Sequence, residues 1–378
     1  MIHQFNFPTI VRFGEGAVQE LASYLKSQGS QRPLLITDGV VAKLVFFEKI
    51  MDDLRQQGLS PELFCDISKN PVKSDVLKGN EAYHQHGSDA IVGLGGGAAM
   101  DVARAVALSI NITRDLLEYD ELIGGDQYIT EPVPLFVTIP TTAGTGSEVG
   151  RSAIISDDVT LKKHILFHPT LLAQIVFADP ELTYELPPAV TAATGMDALT
   201  HNMEAYLAKN YHPMADGIAL EGIRMIARSL EKAVNQSDVE ARREMLLASL
   251  MGAVAFQKGL GVVHSMAHPL SALLDMHHGL ANAICIPYGL RFNIDGFEDR
   301  FAVMAQAIGL TNHSGEAVIQ ALLNLNQKIG LPTRLSEQGV REEHIDELAT
   351  LASEDFAHPN NPKPVSREDF MQLYTAAL

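Results

Sequence analysis

The stretch that decides the fold of the first half of the chain reads Ala90-Ile91-Val92-Gly93-Leu94-Gly95-Gly96-Gly97-Ala98-Ala99-Met100-Asp101. It begins as an apolar run of strand length, passes through a cluster of glycines and ends in the first turn of an apolar helical stripe. Glycines let the backbone approach a phosphate closely, and a helix N-terminus offers unpaired N–H groups. The stretch therefore predicts a buried strand, a phosphate-binding loop and a helix.

The segments around this stretch repeat the alternation of strand and helix. Short apolar runs of strand type occur at 5–13, 33–37, 63–66, 135–140 and 175–179. Such alternation is typical of a parallel, doubly wound sheet. After Pro187-Pro188 the apolar residues recur at helical spacing almost without interruption. We therefore predict an α/β domain over residues 1–183 and an all-helical domain over residues 184–378.

The glycine cluster does not fit the ordinary Rossmann assignment. Gly93, Gly95 and Ala98 match the pattern G-x-G-x-x-A, but a single match of this kind is weak. The usual pattern follows the first strand and precedes its acid, whereas here the match lies beyond the third strand and the acid, Asp38, lies upstream. Asp38 fits a helix N-cap and an acceptor for a ribose hydroxyl about equally well, and the two roles are compatible.

A second loop of small polar residues follows another buried strand. It reads Pro140-Thr141-Thr142-Ala143-Gly144-Thr145-Gly146-Ser147-Glu148. Taken alone, this is a turn rich in serine and threonine. Two such loops at strand ends of one sheet favour a second set of N–H and O–H donors around a nucleotide.

Histidines and an aspartate recur at helical spacing in the second half of the chain. Asp197 and His201 are four residues apart, as are His264 and His268, so each pair projects from one face of a helix. His278 follows shortly afterwards. Imidazoles with one carboxylate and no thiolate suit Fe²⁺, Zn²⁺ or related ions, and ligand chemistry alone does not choose between them. The pattern predicts a site with three histidines and one carboxylate.

Composition narrows the classes of partner and location. The 378 residues carry a net charge of −18, and no run of Lys or Arg forms a basic stripe, which argues against nucleic acid and anionic membranes as partners. No apolar run is long enough to span a bilayer, and the first residues lack the features of a signal peptide. Two cysteines cannot form a disulfide framework. A cytoplasmic protein is expected.

Four segments together strongly resemble the iron-dependent, or group III, alcohol dehydrogenases. They are residues 95–101, 140–148, 193–201 and 263–270, and the likeness extends from Phe13-Gly14-Glu15-Gly16 to the C-terminal tail. The resemblance implies a Rossmann-like nucleotide-binding α/β domain followed by an all-helical domain, an architecture shared with dehydroquinate synthase. It also implies a homo-oligomer, most simply a dimer, and the N-terminal strand is a plausible pairing edge.

The resemblance assigns roles to individual residues. Asp197, His201, His264 and His278 fall on the metal ligands of the family, and His268 falls on a histidine near the nicotinamide and the substrate. The residues that fall on cofactor-binding positions are Asp38, Gly95, Gly96, Gly97, Asp101, Thr141, Thr142, Ser147 and Lys163. An acid at position 38 is associated with NAD rather than NADP, because a carboxylate repels a 2′-phosphate.

Three positions depart from the usual family pattern. Ala98-Ala99 stands where the family usually has Ser-Pro, which removes one hydroxyl donor to the phosphates. Arg104 replaces a common lysine and keeps its charge. His277 replaces a frequent proline before the last ligand, and His278 is preferred as that ligand because it precedes Gly279 and keeps the spacing from His264.

The expected reaction is reversible hydride transfer between a primary alcohol and NAD⁺, with Fe²⁺ or Zn²⁺ polarising the substrate oxygen. One alternative within the superfamily is a reductase of an acidic or phosphorylated substrate, such as a semialdehyde, maleylacetate or glycerol phosphate. Another is a nucleotide- or metal-binding protein without turnover, which the complete ligand set disfavours. Phe256, Gly150 and Arg151 are candidates for the substrate pocket.

Overall fold

The structure is a computed structural model and describes residues 5–378. Eight strands occur among these residues: β1 (Ile10–Phe13), β2 (Pro33–Ile36), β3 (Glu62–Phe64), β4 (Ala90–Gly95), β5 (Leu135–Pro140), β6 (Ser152–Ser156), β7 (Lys163–Phe167) and β8 (Ile175–Ala178). The strand expected at 5–13 is thus shorter than predicted, and only its second half pairs, with β8. Phe7 and Ile10 are exposed, so alternation of apolar residues there does not reflect a buried face.

Six of the strands form one parallel sheet in the order β1-β8-β5-β4-β2-β3. The prediction of a parallel α/β sheet is therefore confirmed. In the centre, β4 pairs with β5 from Ala90↔Leu135 to Gly95↔Pro140. Because paired parallel strands end at the same edge, the glycine loop and the threonine loop leave the sheet side by side. The other two strands, β6 and β7, form an antiparallel hairpin.

Four helices belong to the α/β part: α1 (Leu21–Ser27), α2 (Val45–Gln56), α3 (Lys73–His86) and α4 (Gly97–Ser109). Two apolar clusters form the core. One includes Val102 and Val106 of α4 with Phe136 of β5. The other includes Leu54 of α2 with Val137 of β5. Since successive residues of a strand point to opposite faces, Phe136 and Val137 show that both faces of the sheet are covered.

From residue 184 onward the described elements are helical. The α-helices are α5 (Pro188–Leu207), α6 (Pro213–Asn235), α7 (Val239–Ala255), α8 (Val262–Leu274), α9 (His278–Phe292), α10 (Glu298–Ile308), α11 (Gly315–Lys328), α12 (Ile345–Ser353) and α13 (Arg367–Ala377). The predicted all-helical second half is therefore confirmed. Helix α5 is buried over nearly all of its length, which explains why its apolar residues are not confined to one stripe.

Residue contacts divide the chain into two compact units. One contains Phe7–Thr142 and Gly146–Thr183, which we call the α/β unit. The other, the helical unit, contains Tyr184–Leu378 and the short segment Ala143–Thr145. Within residues 5–378 no single helix has both the length and the apolar composition needed to cross a membrane. The consecutive segments Val239–Lys258 and Val262–Leu274 have the required length and apolar composition only when they are taken together, and a bend of 108° separates them.

Candidate metal centre and nucleotide loops

Three helices of the helical unit bring the four predicted metal ligands together. Asp197 and His201 lie one turn apart on α5, His264 lies in the first turn of α8, and His278 is the first residue of α9. One ligand atom from each residue lies within 4.8 Å of those of the other three. Residues separated by up to 81 positions in sequence thus converge on one small volume.

All three imidazoles direct Nε2 toward the same carboxylate oxygen. The distance to Asp197 Oδ1 is 3.4 Å from His278 and 3.9 Å from each of His201 and His264. The side chain of His278 is 33% exposed, whereas that of Asp197 is 3% exposed. His278 is therefore the one member of the four-residue group that is open to solvent. A catalytic metal site keeps such an open position for its substrate.

The protonation states of these side chains favour a cation. Burial lowers the pKa of His264 and of His278 well below the ordinary value for histidine, so both are neutral and carry a lone pair. Burial alone would raise the pKa of Asp197, but its interactions with His201, His278 and His264 and the N–H donated by Asn282 outweigh burial and lower the pKa, so the carboxylate is charged. Nitrogen lone pairs facing a buried carboxylate repel it unless a cation lies between them. The donors present therefore fit a divalent metal ion.

Glu204 holds the ring of His264 from behind. Its carboxylate lies 2.5 Å from His264 Nδ1 and accepts the backbone N–H of Val263 at 2.7 Å and of His264 at 3.3 Å. Glu204 therefore caps α8 and keeps the imidazole proton on Nδ1, which leaves Nε2 free to bind a metal. Burial raises the pKa of Glu204 to about 7, although the backbone N–H groups of Val263, Gly261 and His264 favour its charged form.

Asn282 lies among the metal-facing atoms. Its amide nitrogen donates to Asp197 Oδ1 at 2.7 Å and lies 3.1 Å from His278 Nε2. Among the described residues, its buried carbonyl oxygen has no hydrogen-bond partner. Asn282 is one turn after His278 on α9, so both residues face the same way. An unpaired buried amide oxygen beside four metal-binding groups is a further sign of a site that is completed by an ion.

Gly279 allows α9 to begin close to α5. A Cβ atom at this position would lie 2.3 Å from the carbonyl oxygen of Ala193, so no other residue fits without a backbone shift. The preceding His278 is thereby placed opposite Asp197, four residues after Ala193. His277 is exposed at the helix N-cap and is not part of the four-residue group.

The histidine expected near the nicotinamide lies beside the metal group without belonging to it. The His268 ring stacks against those of His278 and Phe356, with centroids 5.5 and 5.3 Å apart. Its Nδ1 lies 2.7 Å from Asp355 Oδ2. A second predicted contributor, Phe256, places its ring 5.1 Å from that of His201. The His268 ring thus lies beside His278, and the Phe256 ring lies beside His201.

In the α/β unit the glycine loop joins β4 to α4. Gly95 ends the strand with φ of 146°, a conformation that disfavours side chains, and Gly97 opens the helix. A Cβ atom at Gly95 would lie 2.8 Å from that of Ala99. No side chain caps the N-terminus of α4, whose N-cap is Gly96. The first backbone N–H groups of this helix are therefore suited to an anion such as a diphosphate.

Asp101, Ser147 and Arg104 form a buried network under the two loops. Ser147 Oγ donates to Asp101 Oδ1 at 3.1 Å, and the backbone N–H of Ile154 donates to Oδ2 at 3.3 Å. The Arg104 guanidinium is fully buried and donates to Ser147 Oγ at 3.0 Å and to the carbonyl of Ser152 at 2.8 Å. Arg104 thus ties α4 to the threonine loop and to β6, a role that its charge alone did not predict.

Two other predicted loop residues lie next to the glycines. The backbone N–H of Thr141 donates to the carbonyl of Gly95 at 3.0 Å, and the Thr142 hydroxyl would be 3.3 Å from a Cβ atom at Gly96. The threonine loop therefore closes directly over the glycine loop. Burial raises the pKa of Glu148, which ends this loop, to about 7.

The two remaining predicted cofactor contacts lie at the ends of strands. Asp38 Oδ1 accepts the backbone N–H groups of Val40 and Val41 at 2.8 and 2.9 Å, so its side chain closes the turn that leads into the short helix Val41–Lys43. The N-cap residue of that helix is Val40 rather than Asp38. A Cβ atom at Gly95 would be 3.8 Å from Asp38 Oδ2, which places this oxygen beside the glycine loop. Lys163 is partly buried as the first residue of β7.

Sequence comparison assigns both halves of the chain to one family. The profile described as "Iron-containing alcohol dehydrogenase" matches residues 8–180, and that described as "Fe-containing alcohol dehydrogenase family, C-terminal" matches residues 191–378. The chain belongs to the iron-containing alcohol dehydrogenase family. The resemblance inferred from the motifs is therefore confirmed.

Similar proteins within this family span the whole chain. A 4-hydroxybutyrate dehydrogenase of Cupriavidus necator is 40% identical over 98% of each chain, and an NAD-dependent methanol dehydrogenase of Bacillus methanolicus is 34% identical over 99% of each. The crystal structure of a 1,3-propanediol oxidoreductase superposes with a TM-score of 0.95, at 32% identity and full coverage of both chains. The fold prediction is confirmed by this superposition as well.

For this iron-containing alcohol dehydrogenase family member, sequence reasoning missed three polar residues that hold the site together: Glu204, Asn282 and Asp355. Two of them carried a usable signal, because Glu204 is three residues after His201 and Asn282 is four after His278, so each shares a helical face with a predicted ligand. Asp355 lies 87 residues after His268, and no local pattern connects them.

Proposed function

We propose that this chain is a metal-dependent dehydrogenase that transfers a hydride reversibly between a primary alcohol and NAD⁺. The observation that carries the proposal is the convergence of Asp197, His201, His264 and His278, beside the uncoordinated His268, in a member of the iron-containing alcohol dehydrogenase family. Neutral imidazoles and one carboxylate leave a bound divalent cation with net positive charge. Such a centre favours an alkoxide-like charge on a substrate oxygen.

Each group of the chain has a defined task in this reaction. Asp197, His201, His264 and His278 would hold a divalent cation, which would supply Lewis acidity toward the oxygen of an alcohol or aldehyde. Bound NAD⁺ supplies the hydride acceptor. His268 Nε2 accepts the alcohol proton in one direction and returns it in the other, because its Nδ1 is engaged by Asp355. The rings of Phe256 and Phe356 place apolar surface against His201 and His268.

The α/β unit supplies the proposed nucleotide site. The N-terminus of α4 and Gly95, Gly96 and Gly97 bind the diphosphate, with Thr141, Thr142, Ser147, Asp101 and Lys163 around it. Asp38 Oδ2 accepts a ribose hydroxyl, since only Oδ1 is used to cap the following turn. A 2′-phosphate would meet this carboxylate, so NAD is preferred over NADP.

The proposed ion is Fe²⁺, with Zn²⁺ as a competent substitute. Support comes from the family description and from a ligand set that lacks thiolates, because imidazole and carboxylate accept either ion. Elemental analysis of protein purified without oxygen tests this directly. Iron in equimolar amount supports the proposal, and a protein that is active with neither Fe²⁺ nor Zn²⁺ overturns it.

One specific observation favours an acidic substrate. The 4-hydroxybutyrate dehydrogenase is more similar to this chain than the methanol dehydrogenase is, at 40% against 34% identity. We therefore propose a short ω-hydroxy acid as a second candidate substrate beside simple primary alcohols. NADH formation with 4-hydroxybutyrate, propane-1,3-diol and methanol at equal concentrations separates the two, since kcat/KM for the hydroxy acid must exceed the others if a carboxylate is recognised.

A homodimer in the cytoplasm is the proposed state of the protein. Strand β1 is an edge of the parallel sheet, and Ile10 on it is 63% exposed, which suits pairing with a second copy. Cys65 and Cys285 are free thiols, as is usual in a reducing compartment. Light scattering measures the oligomeric state. Fractionation of cells, with detection by an antibody against the native protein, measures the location.

The decisive test of the function is NADH formation from a primary alcohol by native, chelated and reconstituted protein. Activity that disappears on chelation and returns with Fe²⁺ or Zn²⁺ supports a metal-dependent dehydrogenase. Turnover that survives complete removal of metal would contradict it.

A further inference from the structure

Helix α8 carries two histidines whose Nδ1 atoms are each held by a buried carboxylate. His264 is paired with Glu204, and His268, one turn later, is paired with Asp355. The two carboxylates come from different elements, Glu204 from α5 and Asp355 from the segment after α12. The first pair directs an imidazole at the metal group. The second serves a ring outside that group, so ligand orientation does not explain it.

The carboxylate of Asp355 is itself held on its other oxygen. Asp355 Oδ1 accepts the Ser265 hydroxyl at 2.6 Å and the backbone N–H of Ala357 at 2.9 Å. Ser265 in turn accepts the backbone N–H of His358 at 2.9 Å. With Oδ1 fixed by two donors, Oδ2 has one orientation available toward His268. This chain of hydrogen bonds fixes the Asp355 carboxylate, and the fixed carboxylate in turn holds the His268 ring in one plane.

The charge of Asp355 is secured by the same contacts. Burial would raise its pKa, but His268 and the two donors on Oδ1, Ser265 and Ala357, outweigh burial and lower the pKa to about 2. An ionised carboxylate is an acceptor only, so it selects the imidazole tautomer with the proton on Nδ1. The opposite nitrogen, Nε2, is then left with its lone pair. The ring face is fixed independently by stacking against Phe356, the residue next to Asp355.

We propose that Asp355 is a positioning residue for His268, fixing its ring as the Nδ1–H tautomer with Nε2 free to accept the proton of the substrate. This inference rests on the proposed function for its consequence in turnover, but the tautomer itself is a property of the protein alone. The proton that Nε2 takes from the alcohol is returned to the aldehyde oxygen in the reverse reaction. Asp355 does not change protonation state in either direction.

The discriminating variant is Asp355→Asn, with Glu354→Gln as its matched control. An asparagine amide can donate to Nδ1, which favours the Nε2–H tautomer and removes the acceptor that faces the substrate. Glu354 is the exposed neighbour, and its change removes one charge without touching His268. The tautomer is read from long-range ¹H–¹⁵N spectra of zinc-loaded protein, in which His268→Gln identifies the signals of this ring.

The expected result is an Nδ1–H tautomer in the native protein and in Glu354→Gln, and an Nε2–H tautomer in Asp355→Asn. Turnover by Asp355→Asn should fall by about 10²-fold or more in kcat, with KM for the alcohol and the zinc content preserved. Equal loss in kcat and in zinc content would overturn the proposal, because it would show a structural role at the metal group.

The native spectrum also tests the proposal if Asp355→Asn does not fold. An Nε2–H tautomer at His268 in the native protein would contradict the assignment without any variant. Failure of the proposed function gives a different result. If the native protein oxidises no alcohol but the His268 tautomer still changes in Asp355→Asn, the positioning role of Asp355 stands and only the proposed reaction is wrong.

Discussion

The candidate metal centre of the helical unit consists of side chains, whereas the candidate phosphate loop of the α/β unit consists mainly of backbone. Four candidate ligands on α5, α8 and α9 converge within 4.8 Å. Glu204 holds His264 from behind, and Asn282 lies among the metal-facing atoms. The glycine loop instead works because side chains are missing, since a Cβ atom at Gly95 would meet that of Ala99 at 2.8 Å. The metal centre is therefore sensitive to the removal of a side chain, and the glycine loop is sensitive to the addition of one.

This difference predicts which variants separate the two sites. Removing the side chain of a candidate metal ligand should abolish metal binding without affecting nucleotide binding. Adding a methyl group to the glycine loop should weaken nucleotide binding without affecting metal binding. The predictions below run from the largest expected effect to the smallest.

Asp197→Ala removes the only anionic ligand and should have the largest effect. The three imidazoles alone bind Fe²⁺ or Zn²⁺ more weakly, so kcat/KM should fall about 10³-fold or more and the purified protein should lose its metal. Metal analysis and NADH formation measure both, and Asp295→Ala, a change at a 95% exposed carboxylate, is the control. Retention of a full equivalent of metal by Asp197→Ala would show that the ligand assignment is wrong.

Gly279→Ala should weaken metal binding without removing a ligand. The added methyl group would lie 2.3 Å from the Ala193 carbonyl, so α9 must shift and carry His278 with it. We expect a loss of metal affinity on the order of 10- to 100-fold, as when groups that orient ligands are changed. Competition with a chelator of known affinity measures it.

The matched control for this change is Gly217→Ala on α6, where nothing lies within 4 Å of the added methyl group. Alanine is favoured over glycine in a helix by about 1 kcal/mol, so this variant should be slightly more stable and bind metal normally. If both alanine variants lower the metal affinity equally, the close approach of α9 to α5 at Gly279 is not the cause of the loss.

Gly95→Ala tests the other side of the comparison. A side chain at φ of 146° is strained, which costs on the order of 1–3 kcal/mol, and the methyl group crowds Ala99. We expect a lower Tm and a raised Kd for NAD, measured by thermal unfolding and by quenching of NADH fluorescence. The metal content should stay at one equivalent, and a parallel loss of metal would mean that the sites are not independent.

Glu148→Gln should produce the smallest effect, a gain in stability that depends on pH. Burial raises the pKa of Glu148 in the folded chain from 4.5 to about 7, so ionising it destabilises the fold. The native protein loses this stability as pH rises from about 4.5 toward 7, and glutamine avoids the loss. Thermal unfolding should show a Tm gain of a few degrees at pH 8 and little change near pH 4.5. The exposed Glu62→Gln should show neither.

The sequence was sufficient for those parts of the site that depend on short repeats. Asp197 and His201 are one helical turn apart, so their spacing alone indicated a shared helical face. The glycines at 95–97 indicated a phosphate-binding loop, whereas the role of Asp101 came from the family resemblance. The parallel sheet was likewise predictable from alternating strands and helices. Strand β1 was overestimated because apolar alternation at its start reflects exposed residues, Phe7 among them.

The rest of the site depends on contacts between distant segments. Asp355 reaches His268 only through the packing of α12 on α8, and Arg104 reaches Ser147 only because α4 lies under the threonine loop. Neither pairing leaves a periodic trace in the sequence. Arg104 was therefore expected to act by charge, whereas it acts through hydrogen bonds to carbonyl groups in a buried position that suits its planar guanidinium.

The central claim is that one divalent ion, held by Asp197 and three histidines, is required for turnover. It is tested most directly by titrating chelated protein with Fe²⁺ without oxygen while NADH formation from a primary alcohol is followed. We predict that activity rises linearly, reaches its maximum at one ion per chain and stays absent in Asp197→Ala. Activity in the metal-free protein, or a maximum that requires several ions per chain, would contradict the claim.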